Sequence, residues 1–298
     1  MSTETPAAPQ GQALDPRGRE DEFTSEVHVY QPHRVGLPPL RSYARELWRR
    51  RQFALELSRT NLRAQHYKTV FGQLWLVINP VLLALVYFVL VDILRSGSRG
   101  SGFFAHLMAG LFAFYFVHNA VTQGAKSVVS GGRLILNSAF PRTLLPLSSV
   151  LTAFLRFLPT FAVYVPVHLA VGLPVGPHLL WVLPIVALLV VFAAGLSMLV
   201  AAAQVYFRDL ASFLPYVLRV WLYVSPVLYF ADEVPERYRA LLVLNPLGPL
   251  LEAWSDVLNR GEAPHAALLA LGLAWALALF VGGALFFVSR EREFAVRL

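Results

Sequence analysis

The sequence contains no cysteine, which excludes disulfides, thiolate metal sites and cysteine nucleophiles. Acidic residues are nearly absent from its central part, because only Asp92 and Asp209 lie between Glu56 and Asp232. Proton- or cation-driven transporters, and most membrane hydrolases and transferases, need carboxylates inside the bilayer. A nucleotide-binding G-x-x-x-x-G-K-[ST] run is also missing. The chain is therefore predicted to hold no catalytic residue and no metal, and to be the passive part of a machine driven by another polypeptide.

The composition is that of a membrane protein. Apolar residues make up 56% of the chain and charged residues only 14%, where a soluble domain has roughly 25% charged residues. The net charge of +7 could indicate a nucleic-acid partner. The basic residues are instead distributed as in membrane proteins, so we expect membrane lipids as partners and no nucleic acid.

Six apolar segments are long enough to cross about 30 Å of hydrocarbon. They lie near 74–94, 103–122, 147–171, 180–203, 211–230 and 266–288. If both termini are cytoplasmic, the inner loops and ends from residue 41 onward carry fifteen Lys and Arg residues, and the outer loops carry five. Because basic residues accumulate on the cytoplasmic side, we predict an all-α integral membrane protein with six transmembrane helices and cytoplasmic termini.

The segments outside the spans have distinct compositions. Residues 1–39 are rich in proline and mixed charge and are predicted to be a disordered cytoplasmic tail. Residues 40–73 begin with an apolar stripe opposite a basic face, which predicts an amphipathic helix at the membrane interface, or a solvated surface helix. The six-span domain is assigned to 74–298. In the last outer loop, 246–258 is too short to span and is predicted to form short re-entrant helices.

Small residues at four-residue spacing follow one line of the last span. They are Ala270, Ala274, Ala278 and Gly282. Such a ridge allows close approach of two helices, so we expect this face to pack against a neighbouring helix.

Two inner segments are suited to contact with a soluble partner. The stretch 123–149 contains an amphipathic segment that begins after the paired glycines Gly131 and Gly132 and is broken by two prolines. A short helix followed by a fixed elbow could dock into a groove on a partner, or could rest on lipid headgroups. The turn at Arg208 and Asp209 places two adjacent charges on the same side of the membrane.

The chain resembles the membrane subunits of type-2 ATP-binding-cassette exporters, in the branch that moves lipid-linked O-antigens, capsular polysaccharides and teichoic acids. The resemblance covers about residues 40–298 and consists of five separated blocks in the same order and spacing. The blocks are Phe71-Gly72-x-x-Trp75, Phe140-Pro141-Arg142 with Leu145-Pro146, Phe207-Arg208-Asp209, Ser225-Pro226-Val227 and Asn245-Pro246-Leu247.

The resemblance implies a homodimer in the bacterial inner membrane, bound to two ATPase subunits that hold the ATP and Mg, with no cofactor on this chain. It also implies that 123–140 contains the coupling helix that contacts the ATPase, that 41–66 is an interface helix, and that 246–258 forms gate helices on the outer side. The coupling candidates are Arg133, Leu134, Asn137, Phe140, Pro141, Arg142, Arg208 and Asp209.

A lipid-linked polysaccharide would need a cationic entrance and a lumen lined by aromatic rings. The candidates at the entrance are Arg59, Arg63 and Lys68, and those in the lumen are Phe112, Phe114, Tyr115, Phe116, Trp221, Tyr223 and Tyr229. Lipid headgroup binding and helix packing are the ordinary alternatives for these residues. Arg156 and Arg219 lie well inside spans, where a charge should face water or the bundle interior. Backbone carbonyls or a passing phosphate could be their partners, and a purely structural role is the alternative.

Three other functions remain open. A small-molecule or drug exporter of the same superfamily would share the six-span plan. A membrane glycosyl- or acyltransferase would need carboxylates or histidine clusters near a membrane face, and 93–208 contains no Asp or Glu. A secondary transporter would need ion-coordinating acids and usually inverted repeats, and the sequence contains neither.

Overall fold

A computed structural model describes residues 39–65, 71, 74–94 and 100–298, and these residues form helices, turns and no strand. The predicted tail therefore lies outside the described residues, apart from Pro39. The helices are α1 (Leu40–Arg49), α2 (Arg51–Gln65), α3 (Trp75–Leu94), α4 (Gly100–Ser130), α5 (Gly132–Asn137), α6 (Leu144–Ala170), α7 (Val182–Tyr206), α8 (Leu210–Val224), α9 (Glu236–Leu244), α10 (Gly248–Ser255), α11 (Ala266–Arg290) and α12 (Phe294–Arg297).

Five helical segments of the described residues are long and apolar enough to cross a membrane, which confirms an all-α protein of the membrane class. They are Val77–Leu94, Gly100–Ser130, Leu144–Ala170, Pro177–Tyr206 and Ala266–Arg297. The remaining predicted span, 211–230, contains only the 15-residue helix α8, about 22 Å long. It ends at Val224 because Ser225 precedes a proline and takes an extended conformation, with φ −87° and ψ 147°.

Helix α4 lies at the centre of the bundle. It packs against α3, α6, α7, α8 and α10, and most of its side chains are buried. Its 31 residues extend over about 46 Å, more than the thickness of the hydrocarbon core. The short helix α5 follows at its end, and we refer to this end as the α5 end of the bundle.

Helices α7 and α11 approach so closely that their backbones are in contact. A Cβ atom on Gly283 would lie 2.1 Å from the carbonyl oxygen of Gly195, so glycine is required there. On the face predicted to pack, Gly282 has nothing within 4 Å of a built Cβ position. That prediction is wrong within the chain, because the buried face of α11 carries Gly272, Ala276 and Gly283 instead.

The predicted interface helix and coupling helix are both divided differently from the sequence prediction. Within 40–73, the chain breaks at Arg50 into α1 and α2, and α2 packs against α6. Within 123–140, α4 continues to Ser130, and only Gly132–Asn137 forms a separate helix.

The long loop before α11 is built into the bundle. All residues of helix α10 except Glu252 are buried, and the helix contacts α4, α7 and α11. Its Trp254 donates a hydrogen bond of 3.1 Å from Nε1 to the carbonyl of Ala109 on α4. A single turn of π-helix, Asp256–Arg260, continues it and ends at Gly261, whose φ of 72° favours glycine.

Candidate functional site

Helix α5 presents an exposed surface at one end of the bundle. Its Ile135 is buried in a hydrophobic cluster with the ends of α6, α7 and α11, which fixes the helix in place. Arg133 and Asn137 are exposed, Leu134 is half-buried, and 64% of Leu136 is exposed. An exposed leucine beside an arginine and an asparagine is suited to a protein partner.

The turn at Arg208 and Asp209 lies on the same side as α5. Both residues are exposed, and Nη2 of Arg208 donates to the carbonyl of Arg297 in α12 at 3.2 Å. Because α12 also contacts α5 and α7, the C-terminal segment joins the two predicted coupling segments. Glu293 strengthens this junction by accepting a hydrogen bond of 2.7 Å from the hydroxyl of Tyr206.

Arg142 is held inside the protein rather than presented to a partner. Its backbone N–H donates to Oε1 of Glu291 at 2.5 Å, and its guanidinium donates to the Glu291 carbonyl. Burial lowers the pKa of the Arg142 guanidinium, although the nearby Glu291 raises it. Oε2 of Glu291 accepts a hydrogen bond from Tyr43 of α1, so one carboxylate joins α1, the elbow before α6 and the end of α11.

Tyr43 completes this junction. Its hydroxyl lies 2.8 Å from the hydroxyl of Thr143 and 2.5 Å from the Glu291 carboxylate. Burial, and secondly the charge of Glu291, raise the pKa of Tyr43, so the hydroxyl stays protonated and can donate. Sequence reasoning missed both residues; a possible signal was an acid directly after the last apolar run.

The other elbow residues also face inward. Pro141 is buried, and the ring of Phe140 lies 5.2 Å from that of Phe53 on α2. Arg50 donates a hydrogen bond of 2.5 Å to the carbonyl of Ala139. Among the coupling candidates, the exposed ones are therefore Arg133, Asn137, Arg208 and Asp209, and the elbow residues connect α1 and α2 to the bundle.

Two of the three entrance candidates are described, and both are exposed on α2. Arg59 forms an ion pair of 2.9 Å with Glu56, while Arg63 lies one turn further on. Lys68 lies outside the described residues. A cavity of about 540 Å³ separates Arg59 and Arg51 from the apolar start of α6 at Leu147. A groove with arginines on one wall and apolar side chains on the other is suited to lipid.

The aromatic candidates on α4 are mainly core residues. Phe112, Phe114 and Phe116 are each no more than 3% exposed. Tyr115 is half-buried and lies on another side of the helix. The three phenylalanines are buried because neighbouring helices surround α4, which the sequence alone could not indicate.

The three aromatic candidates on α8 and in the turn after it have different surroundings. Nε1 of Trp221 donates to Oδ1 of Asn245 at 2.7 Å, and Tyr229 donates to the Val224 carbonyl at 2.8 Å. These two side chains stabilise the turn after α8. Tyr223 is 48% exposed and lies close to Tyr87 of α3.

Two motif blocks meet through Asn245. Besides accepting from Trp221, Oδ1 of the buried Asn245 accepts from the N–H of Leu247 at 3.1 Å, and Nδ2 donates to Oγ of Ser225 at 3.0 Å. The Ser225-Pro226 and Asn245-Pro246 segments are thus joined in one polar network beneath α10.

The two arginines that the sequence predicts inside spans have different surroundings. Arg219 is exposed on α8, and its charge acts on the hydroxyl groups of Tyr87 and Tyr115. Arg156 is partly buried on α6 and lines a cavity together with Tyr115 and Asn119. Within the described residues, no group of three or more His, Asp or Glu side chains is placed to hold a metal.

Comparison with known proteins gives a consistent result. A family profile described as ABC-2 type transporter matches residues 51–259. An O-antigen export system permease protein RfbA from Klebsiella pneumoniae is 27% identical over 231 residues, covering 77% of this chain and 89% of the relative. One from Myxococcus xanthus is 30% identical over 258 residues, covering 84% and 97%. The polysialic acid transport protein KpsM from Escherichia coli is 22% identical over 248 residues, covering 79% and 91%.

Proposed function

Because the chain belongs to the ABC-2 type transporter family, we propose that it is the permease subunit that moves a lipid-linked surface polysaccharide from the cytoplasm across the bacterial inner membrane. As a membrane component of this family, it is a non-catalytic multi-pass protein that binds no cofactor itself, and it works with a partner ATPase subunit. The cargo class is supported by the names of its relatives, which export O-antigen or transport polysialic acid. We further assign a polyprenyl pyrophosphate-type lipid as the carrier.

The assembly in this proposal contains two copies of the chain and two ATPase subunits, with both termini in the cytoplasm. Helix α8 and the turn that follows it at 225–230 together provide the sixth crossing, α1 lies at the membrane interface, and α10 is the re-entrant gate helix. ATP binding pushes on α5 and on the Arg208-Asp209 turn. The connection of both segments to α12 supports coupled movement of α5, α7 and α11.

The observation that carries the proposal is the exposed polar face of α8. Arg219 lies nine residues into this apolar helix and is exposed, as is Tyr223 one turn later. An arginine at the centre of a span costs about 2.5–3.5 kcal/mol on insertion scales unless it faces water or protein. An exposed arginine therefore favours a hydrated lumen on this face, closed by the second copy, with Tyr223 and Tyr115 available to stack on sugars.

The test is deletion of the gene, followed by complementation. We expect deletion to abolish surface polysaccharide and to leave lipid-linked glycan in the inner leaflet, and the wild-type gene to restore export. Arg219→Leu should insert at normal levels but export at least about tenfold less glycan. Phe213→Leu, which changes another exposed residue of α8, should export normally. Intact surface glycan in the deletion strain, with altered drug sensitivity instead, would support a drug exporter.

A further inference from the structure

A cavity of about 260 Å³ lies between the start of α3 and the middle of α4 and α6. Its walls are largely aromatic, and its polar lining comes from Asn79, Tyr115, Asn119, Arg156 and Thr160. Of the described residues that line it, only Arg156 is charged, and we refer to it as the Arg156 cavity.

The charge of Arg156 has no counterpart in the part of the chain that the structure describes. None of the ion pairs there includes Arg156, and its buried Nε has no hydrogen-bond partner. Helices α4, α6 and α7 contain no Asp or Glu. On α3, Asp92 is about 20 Å along the axis from Asn79. Since a partly buried cation needs a partner, the cavity is suited to an anion that the described residues do not supply.

The depth of the cavity identifies where such an anion could come from. Trp75 is the first residue of α3, a 20-residue apolar helix whose length of about 30 Å matches the hydrocarbon thickness. The cavity follows α3 from Trp75 to Leu83, so it extends about 12 Å inward from that end. Lipid phosphates lie at the end of the hydrocarbon, where long arginine side chains reach toward them.

We propose that the Arg156 cavity binds a phosphate group esterified to a lipid. The planar guanidinium offers paired donors to phosphate oxygens, and the side-chain amides of Asn79 and Asn119 add neutral donors. The rings of Trp75 and Phe157 form apolar walls for the adjoining lipid chain. A bilayer phospholipid and the lipid carrier of an exported glycan share this chemistry. The assignment to the carrier rests on the proposed function.

The test uses the purified full chain with its ATPase subunit in a maltoside detergent, which contains no phosphate. Native mass spectrometry compares binding of polyprenyl phosphate, neutral polyprenol, phosphatidylglycerol and inorganic phosphate. We expect polyprenyl phosphate to bind at least about tenfold more tightly than polyprenol. Arg156→Gln should weaken its binding about 10- to 100-fold, the factor for a lost charge-assisted hydrogen bond.

Matched variants distinguish binding in the Arg156 cavity from a general effect of removing a positive charge. Arg239→Gln removes an exposed arginine from α9 and should leave binding unchanged. If Arg156→Gln does not fold, Asn119→Leu retains the charge but removes one donor and fills the cavity, and it should weaken binding as well. Arg156→Gln or Asn119→Leu protein that binds like the wild type would overturn the proposal.

The lipids distinguish the two sources. Preference for polyprenyl phosphate assigns the cavity to the carrier, and equal affinity for phosphatidylglycerol assigns it to the bilayer. Equal affinity for inorganic phosphate would reject a lipid site. Export measured in cells is independent of this assay. Normal export without phosphate-dependent binding would overturn only the lipid-phosphate site. Phosphate-dependent binding in a chain that exports no glycan would overturn only the proposed function.

Discussion

The hydroxyl of Tyr43 donates a hydrogen bond of 2.5 Å to the carboxylate of Glu291, although 248 residues separate them in the sequence. The same carboxylate accepts from the backbone of Arg142. Helix α1, the elbow before α6 and the end of α11 are therefore joined at the side chain of Glu291. A coupling movement would have to displace these three segments together.

Tyr43→Phe should lower the free energy of unfolding by about 1–3 kcal/mol, because the Glu291 carboxylate loses one of its donors while remaining buried. Thermal unfolding in detergent measures the effect. Tyr238→Phe is the control, since Tyr238 is 46% exposed in α9 and its change should stay within about 0.5 kcal/mol. Equal melting temperatures for the two variants would contradict a stabilising role for the Tyr43 contact.

Arg133 and Arg142 should separate coupling from stability. Arg133→Glu changes an exposed residue of α5 and should reduce the ATPase activity of the assembled complex severalfold while leaving the melting temperature unchanged. Arg142→Gln, in contrast to Arg133→Glu, should lower the unfolding free energy by about 1–3 kcal/mol, because it removes the donor to the Glu291 carbonyl. Normal ATPase activity with Arg133→Glu would argue against α5 as the docking helix.

Gly283→Ala should destabilise the protein by about 1–3 kcal/mol, because its Cβ would overlap the backbone of Gly195 and force α7 and α11 apart. The adjacent Gly282→Ala provides a matched control. It has open space around its Cβ and should be neutral or stabilising by up to about 1 kcal/mol. The unfolding free energies of both variants are compared by denaturation in the same detergent. Similar losses of stability would mean that the contact between Gly283 and Gly195 does not restrict the side chain at position 283.

Asn245→Ala should cost about 2–3 kcal/mol, because the Trp221 indole N–H loses its acceptor and the Ser225 hydroxyl loses the hydrogen bond that it accepts from Asn245. Asn245→Asp keeps an acceptor for Trp221 and should lose less. Melting temperature and near-ultraviolet circular dichroism follow the two variants. If the aspartate variant were the less stable one, the donor to Ser225 would be the more important half of the network.

The sequence was sufficient for features that depend on local composition. Long apolar runs predict the five long helices because a membrane requires about 20 apolar residues per crossing. The predicted span 211–230 extends beyond the end of α8, because Pro226 favours an extended conformation at Ser225 and ends the helix at Val224. A 3.6-residue period also permits several small-residue lines on one helix, so only knowledge of the neighbouring helix identifies the Gly283 line, rather than the Gly282 line, as the packed one.

Contacts between distant segments could not be predicted. Nothing near Tyr43 indicates that Glu291 is its partner, and the burial of Phe114 follows from the central position of α4 rather than from its own sequence. The docking function of Arg133, the entrance role of Arg59 and the tail at 1–39 remain predictions.

The length of α4 has a mechanical consequence. A straight rod of about 46 Å that tilts by about 10° about one end displaces the other end by about 8 Å. Because α5 is attached directly to that rod, a small rotation imposed from outside the bilayer becomes a large lateral excursion at the opposite surface. Helix α4 would thus act as a lever. The displacement at its far end depends on how many of its residues lie beyond the lipid.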